Sequence, residues 1–123
     1  MLDIADYQKR YEQYLFQWRR MAHRVMSGGS VSYQEARENR DWVLEQRSEY
    51  LTLQKMVETD LERTLAQSDQ SALQTYVEQR ASMHTFDDPA QPYRQLLSHI
   101  DSLLVSVDDV LKLFDRVITQ HEK

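Results

Sequence analysis

Four histidines, His23, His84, His99 and His121, are the side chains best equipped to hold a metal or to move a proton near neutral pH. Their spacing serves neither purpose. No two stand three to five residues apart, the separation that brings two imidazoles onto one helical face. None follows a glutamate by three residues, as in the Glu-x-x-His pairs of carboxylate-bridged di-iron bundles. His84 with Asp87 comes nearest to local ligand spacing, but two candidate ligands specify no metal, and an exposed loop is the expected reading. The chain has no cysteine, which excludes thiolate zinc sites, iron-sulfur clusters, disulfides and a cysteine nucleophile.

Phosphate-cradling loops need glycines at intervals so that backbone N–H groups can approach the anion. Here the only glycines are the adjacent pair Gly28 and Gly29, followed by Ser30, and that is turn chemistry. The acidic pairs Asp87-Asp88 and Asp108-Asp109 are sequence neighbours, which do not face one another on a helix, and neither has an identifiable partner for acid–base work. No enzyme activity, cofactor or metal is therefore expected.

A different pattern stands out near the N-terminus. Ile4, Tyr7, Tyr11, Tyr14, Trp18, Met21 and Val25 alternate at steps of three and four, one face of a helix, so the aromatic row reads as core. Phe16 lies off that face, with Lys9, Arg19, Arg20 and His23 at helical-neighbour spacing around it. These five residues are the candidate partner-binding set, expected to be exposed opposite the aromatic row. Residues 1–27 carry five bases against three acids, whereas the whole chain has a net charge of −5. The basic patch suits an acidic or helical protein partner; nucleic acid is the weaker alternative, since the protein as a whole is acidic.

The elements that must position this surface are legible as helices. In 123 residues, long enough for one core, only Pro89 and Pro92 join the two glycines as helix breakers. A first helix over 4–26 ends at Ser27-Gly28-Gly29, and Ser32-Tyr33-Gln34-Glu35 matches the capping box that opens a second. Val43, Tyr50, Leu53, Val57, Leu61 and Leu65 mark its buried face over 33–67. Ser68-Asp69-Gln70-Ser71 offers several N-cap residues, so a break and a short third helix over 72–83 are expected. Were the second helix instead to run unbroken to Met83, its length of about 75 Å would suit an extended coiled-coil dimer rather than a compact bundle.

After a loop around Asp87-Asp88-Pro89, a last helix over 92–119 carries Leu97, Ile100, Leu104, Val107, Leu111, Phe114 and Ile118 as its expected seam. Leu96, Leu103, Val110 and Val117 form a further apolar row, so this helix is expected between two others. The acids Asp101, Asp108, Asp115 and Glu122 read as the solvated edge of the face.

The expected fold is thus all-α, a single-domain antiparallel bundle over 1–123 with three long helices and one shorter one, four-helix-like. No stretch approaches the roughly 20 apolar residues of a membrane span, and Met1-Leu2-Asp3-Ile4-Ala5-Asp6 lacks the apolar segment of a secretory signal. A cytoplasmic, non-enzymatic interaction module is expected, an adaptor, chaperone or regulator, with a homodimer as one way to cover surplus apolar rows.

Overall fold

Asp3 opens the first helix through a capping box: its carboxylate accepts from the Asp6 N–H at 3.0 Å, and the Asp6 carboxylate accepts from the Asp3 N–H at 3.2 Å. In the computed structural model, which describes the backbone of residues 3–82 and 89–123 and the side chains of 3–67 and 89–123, three helices pack together and no strand occurs among the described residues. Helix α1 spans Ile4–Met26, α2 spans Tyr33–Ser82 and α3 spans Gln91–Glu122. Gly29, at φ +83°, takes the left-handed conformation that turns the chain between α1 and α2. Ser32 Oγ accepts from the Glu35 N–H at 3.1 Å and starts α2. Pro92 lies in the first turn of α3, where its missing N–H costs no helical bond.

The separate short helix expected over 72–83 does not occur, and the four-helix-like architecture gives way to three helices. Helix α2 continues through 68–71 without a break to Ser82, a length of about 75 Å at 1.5 Å per residue. Ser and Asp favour N-caps, but in a helix interior they cost only about 0.7 kcal/mol or less each, too little to stop a helix that no glycine or proline interrupts. The long α2 nonetheless serves as the spine on which the other two helices of the same chain pack.

Helices α2 and α3 run antiparallel in a register visible from four seven-residue rungs. The Tyr33 ring stacks on His121 and its hydroxyl donates to Glu122 at 3.2 Å. Arg40 meets Asp115 at 2.7 Å, Arg47 meets Asp108 at 2.9 Å, and Gln54 donates to Asp101. The acidic row of α3 is therefore the inner rail of a ladder to α2 as well as a solvated edge. The periodicity of α3 showed the acids but not the arginines opposite them.

The seam of α3 also differs from the expected one. Ile100, Val107 and Phe114 are buried as expected, but the companion row is Leu96, Leu103 and Val110, while Leu97, Leu104 and Leu111 are half-buried. With α1 and α2 on either side, the most enclosed line of α3 faces the space between them, which the row through Leu96 and Leu103 occupies. On α2, Val43, Tyr50, Leu53 and Val57 are buried, Leu61 is half-buried and Leu65 is 36% exposed. Two successive four-residue steps carry Leu61 and Leu65 progressively off the face, and Asp60 takes the buried position instead.

Helix α1 lies antiparallel to α2, with Tyr14 against Tyr50 and Trp18 against both Tyr50 and Trp42 at ring-centroid distances of 5.1, 6.5 and 6.4 Å. Trp18, Met21 and Val25 join Ala36, Val43, Tyr50, Leu103, Val107 and Phe114 in one core cluster, and Tyr7 joins Leu53, Val57, Leu96 and Ile100 in another.

The revised seam has an energetic consequence. Leu103→Ala should lower the unfolding free energy in urea by about 2–5 kcal/mol, and Leu104→Ala by clearly less, because it empties only partly enclosed space. The reverse order would place the core on the other row.

Candidate functional site

The outer face of α1 is assembled by helical geometry alone. Lys9, Phe16, Arg20 and His23 fall within about 60° of one another at 3.6 residues per turn, diametrically away from Tyr7, Trp18 and Val25. All four are exposed, as is Arg19, and the Phe16 ring keeps 65% of its surface open to solvent. Arg19 is turned about 60° from Phe16 toward α3, so the five candidate residues do not form one flat patch. Lys9, Phe16, Arg20 and His23 share the crest, and Arg19 guards one flank.

The remaining bases of α1 are turned toward α2. Arg24 donates to Asn39 at 3.1 Å, and Arg10 is half-buried. Lys9, Arg19 and Arg20 form no ion pair among the described residues, in contrast to Arg37, Arg40 and Arg47 of α2, each bonded to an acid of α3. The free cations of α1 are thus available to an outside anion.

A groove flanks the crest on each side. Between α1 and α3, one depression of about 620 Å³ is lined by Gln8, Tyr11, Glu12, Leu15, Arg19, Pro92, Gln95, Leu96 and His99. It continues into a second, of about 390 Å³, which shares Tyr11, Leu15 and Arg19 and adds Trp18, Ala22, Ser102, Leu103 and Ser106. The Tyr11 ring stacks on His99 at 5.9 Å across it. Between α1 and α2, Gln17, Arg20, Met21, Arg24, Glu38, Asn39 and Trp42 surround a depression of about 520 Å³. The α1–α3 groove escapes a reading of the sequence because Leu15, His99, Ser102 and Ser106 belong to two helices. The one local hint is Leu15, an apolar residue next to the aromatic row but off its repeat.

Acid–base chemistry has one structural candidate. The Tyr7 hydroxyl donates to the buried carboxylate of Asp60, which Arg63 approaches at 3.4 Å, beside a depression lined by Thr52, Lys55, Met56 and Thr59. Burial, with the hydrogen bond to Asp60 second, pushes the Tyr7 phenol up to about 12. A proton held that firmly is far from the neutral range in which a general acid or base works best, so the pair acts as a fastener between α1 and α2. No group of three or more His, Asp or Glu side chains able to hold a metal occurs among the described residues, and His84 and Asp87 lie outside them. No helix among those residues is long and apolar enough to cross a membrane. The chain matches no family model, no curated protein and no solved structure.

The fastener sets an alkaline limit. Tyr7 is raised from 10 to about 12, and Tyr50 is raised too, by burial first. Both phenols bind their protons more tightly in the folded than in the unfolded chain, so the contribution of Tyr7 is complete below pH 10 and is lost as pH climbs from 10 through 12, while that of Tyr50 persists to higher pH. Phenolate absorbance should show these two tyrosines titrating together with loss of helical circular dichroism. Tyr7→Phe should weaken the pH dependence over that window.

Proposed function

We propose that this chain is a cytoplasmic, non-catalytic protein-interaction module whose first helix engages an acidic partner. The observation that carries the reading is the Phe16 ring, 65% exposed on a crest with Lys9, Arg20 and His23 and with Arg19 beside it, on a chain of net charge −5. Aromatic and arginine side chains dominate binding hot spots, because a flat ring and a delocalised cation lose little hydration on burial and make many contacts. The free cations supply orientation and a fast encounter with an acidic surface. An adaptor, a chaperone for a helical client or a regulator would each use such a surface.

Unpaired cations alternating with an exposed ring also favour a second reading, single-stranded nucleic acid, with phosphates on Lys9, Arg19 and Arg20 and a base on Phe16. The acidic remainder of the chain opposes it.

Phe16→Ala combined with Arg20→Glu tests the surface. The variant should retain its stability within about 1 kcal/mol, since both side chains are exposed, and should lose a protein that the wild-type chain captures from its native host. Unfolding of the variant would return Phe16 to the core; capture unchanged would place the binding surface elsewhere. The nucleic-acid reading requires an affinity for DNA or RNA oligonucleotides that falls steeply with salt, and a flat response removes it.

A further inference from the structure

Helix α1 and helix α3 both run antiparallel to α2, and so parallel to one another, yet they are pinned to α2 more firmly than to each other. The furrow left between them extends from Gln8 to Ala22 on one side and from Pro92 to Ser106 on the other, about 21 Å along each helix and about four helical turns. Its floor is apolar, from Tyr11, Trp18, Leu96 and Leu103, and its rim is polar. On the α3 wall, Ser102 and Ser106 stand one turn apart opposite Ala22, so small side chains line this end of the furrow.

A straight furrow of this length between two helices is the complement of a third helix. A row of side chains at three- and four-residue steps lies along the floor, as ridges pack into grooves. The charge of the rim selects the kind of helix. Among the described residues, Arg19 lines both halves of the furrow and has no carboxylate partner, Glu12 is the one acid lining it, and the α3 wall offers Gln95, His99 and serines. Lys9 and Arg20 add positive potential on the adjoining crest.

We propose that the α1–α3 furrow docks one amphipathic, acidic α-helix of a partner protein, its apolar row on Tyr11, Leu15 and Leu103, its outer edge against Phe16 and its carboxylates on Arg19, so that the complex has four helices. This rests on the reading of α1 as the partner-binding helix and adds which flank of α1 the partner occupies and what it must look like.

The test uses the full chain and a labelled 18-residue peptide with leucines at three- and four-residue steps and glutamates flanking them. A scrambled peptide of the same composition and a version with lysine in place of glutamate serve as controls. The glutamate peptide should bind in the micromolar range and the controls at least about tenfold more weakly, a difference of about 1.4 kcal/mol. Ser102→Trp fills the furrow from the α3 side and should weaken binding about tenfold or more, whereas Arg20→Glu, on the far side of the crest, should weaken it by about threefold through charge alone. Arg19→Glu should exchange the preference from the glutamate to the lysine peptide, and this reversal decides the matter even if Ser102→Trp fails to fold.

Equal binding of the scrambled and amphipathic peptides would overturn the proposal, as would a wild-type dimer that Ser102→Trp converts to monomer without any peptide binding, since the occupant would then be a second copy. If Arg20→Glu abolishes binding and Ser102→Trp leaves it intact, the partner lies on the crest or toward α2; the furrow is wrong and the reading of α1 survives. If neither furrow nor crest variants affect capture of the native partner, both fall.

Discussion

Arg40 and Arg47 can each reach an aspartate of α3 while Tyr33 covers His121 only if α2 and α3 meet in one register. Both rails repeat every seven residues, so a slip of seven would still pair some charges, but it would set Leu61 against Asp101 and take Tyr33 off His121. Half-exposed pairs of this kind contribute only about 0–1 kcal/mol each. The stability comes from the apolar seam between the rails, where Val43, Tyr50, Leu53 and Val57 meet Ile100, Leu103, Val107 and Phe114. The ladder therefore acts mainly as a selector among registers that the apolar residues alone would tolerate.

Helix α1 is then located against that pair by polar groups set into the face of α2. Asn39 and Asp60 fall at seam positions among apolar residues. A buried carboxylate without a partner is costly, and the Tyr7 hydroxyl meets that of Asp60, while Arg24 meets Asn39 near the other end of the helix. Both fastenings tie α1 to α2. On the α3 side the Tyr11 ring stacks on His99, with small serines beyond it.

The same arrangement sorts the basic residues. Arg37, Arg40 and Arg47 of α2 pair with the acidic rail of α3 and are neutralised within the fold. Of the bases in α1, Arg10 and Arg24 are drawn toward α2, and Lys9, Arg19 and Arg20 are left on the outside around Phe16. An acidic chain thus presents a localised positive surface on α1, while Asp101, Asp108, Asp115 and Glu122 of α3 face their partners on α2.

The sequence by itself determined the three strongest helices, the turn at Gly28-Gly29, the burial of Tyr7 and Trp18, and the exposure of Lys9, Phe16, Arg19, Arg20 and His23. Each of these follows from local rules: a 3.6-residue period, capping chemistry and the angle between residues on one helix. The continuity of α2 through 68–71 escapes local rules because cap-favouring residues signal a start only where a preceding helix actually stops. Whether the seam of α3 ran through Leu103 or Leu104 was decided by tertiary structure, since three adjacent apolar rows are compatible with either choice until the directions of both neighbours are set. The roles of Asp60 as a buried anchor, of Asp108 and Asp115 as ladder rungs and of Ser102 and Ser106 as the wall of a furrow were likewise decided there. A polar residue's function depends on the group facing it across an interface, and no periodicity within one helix carries that information.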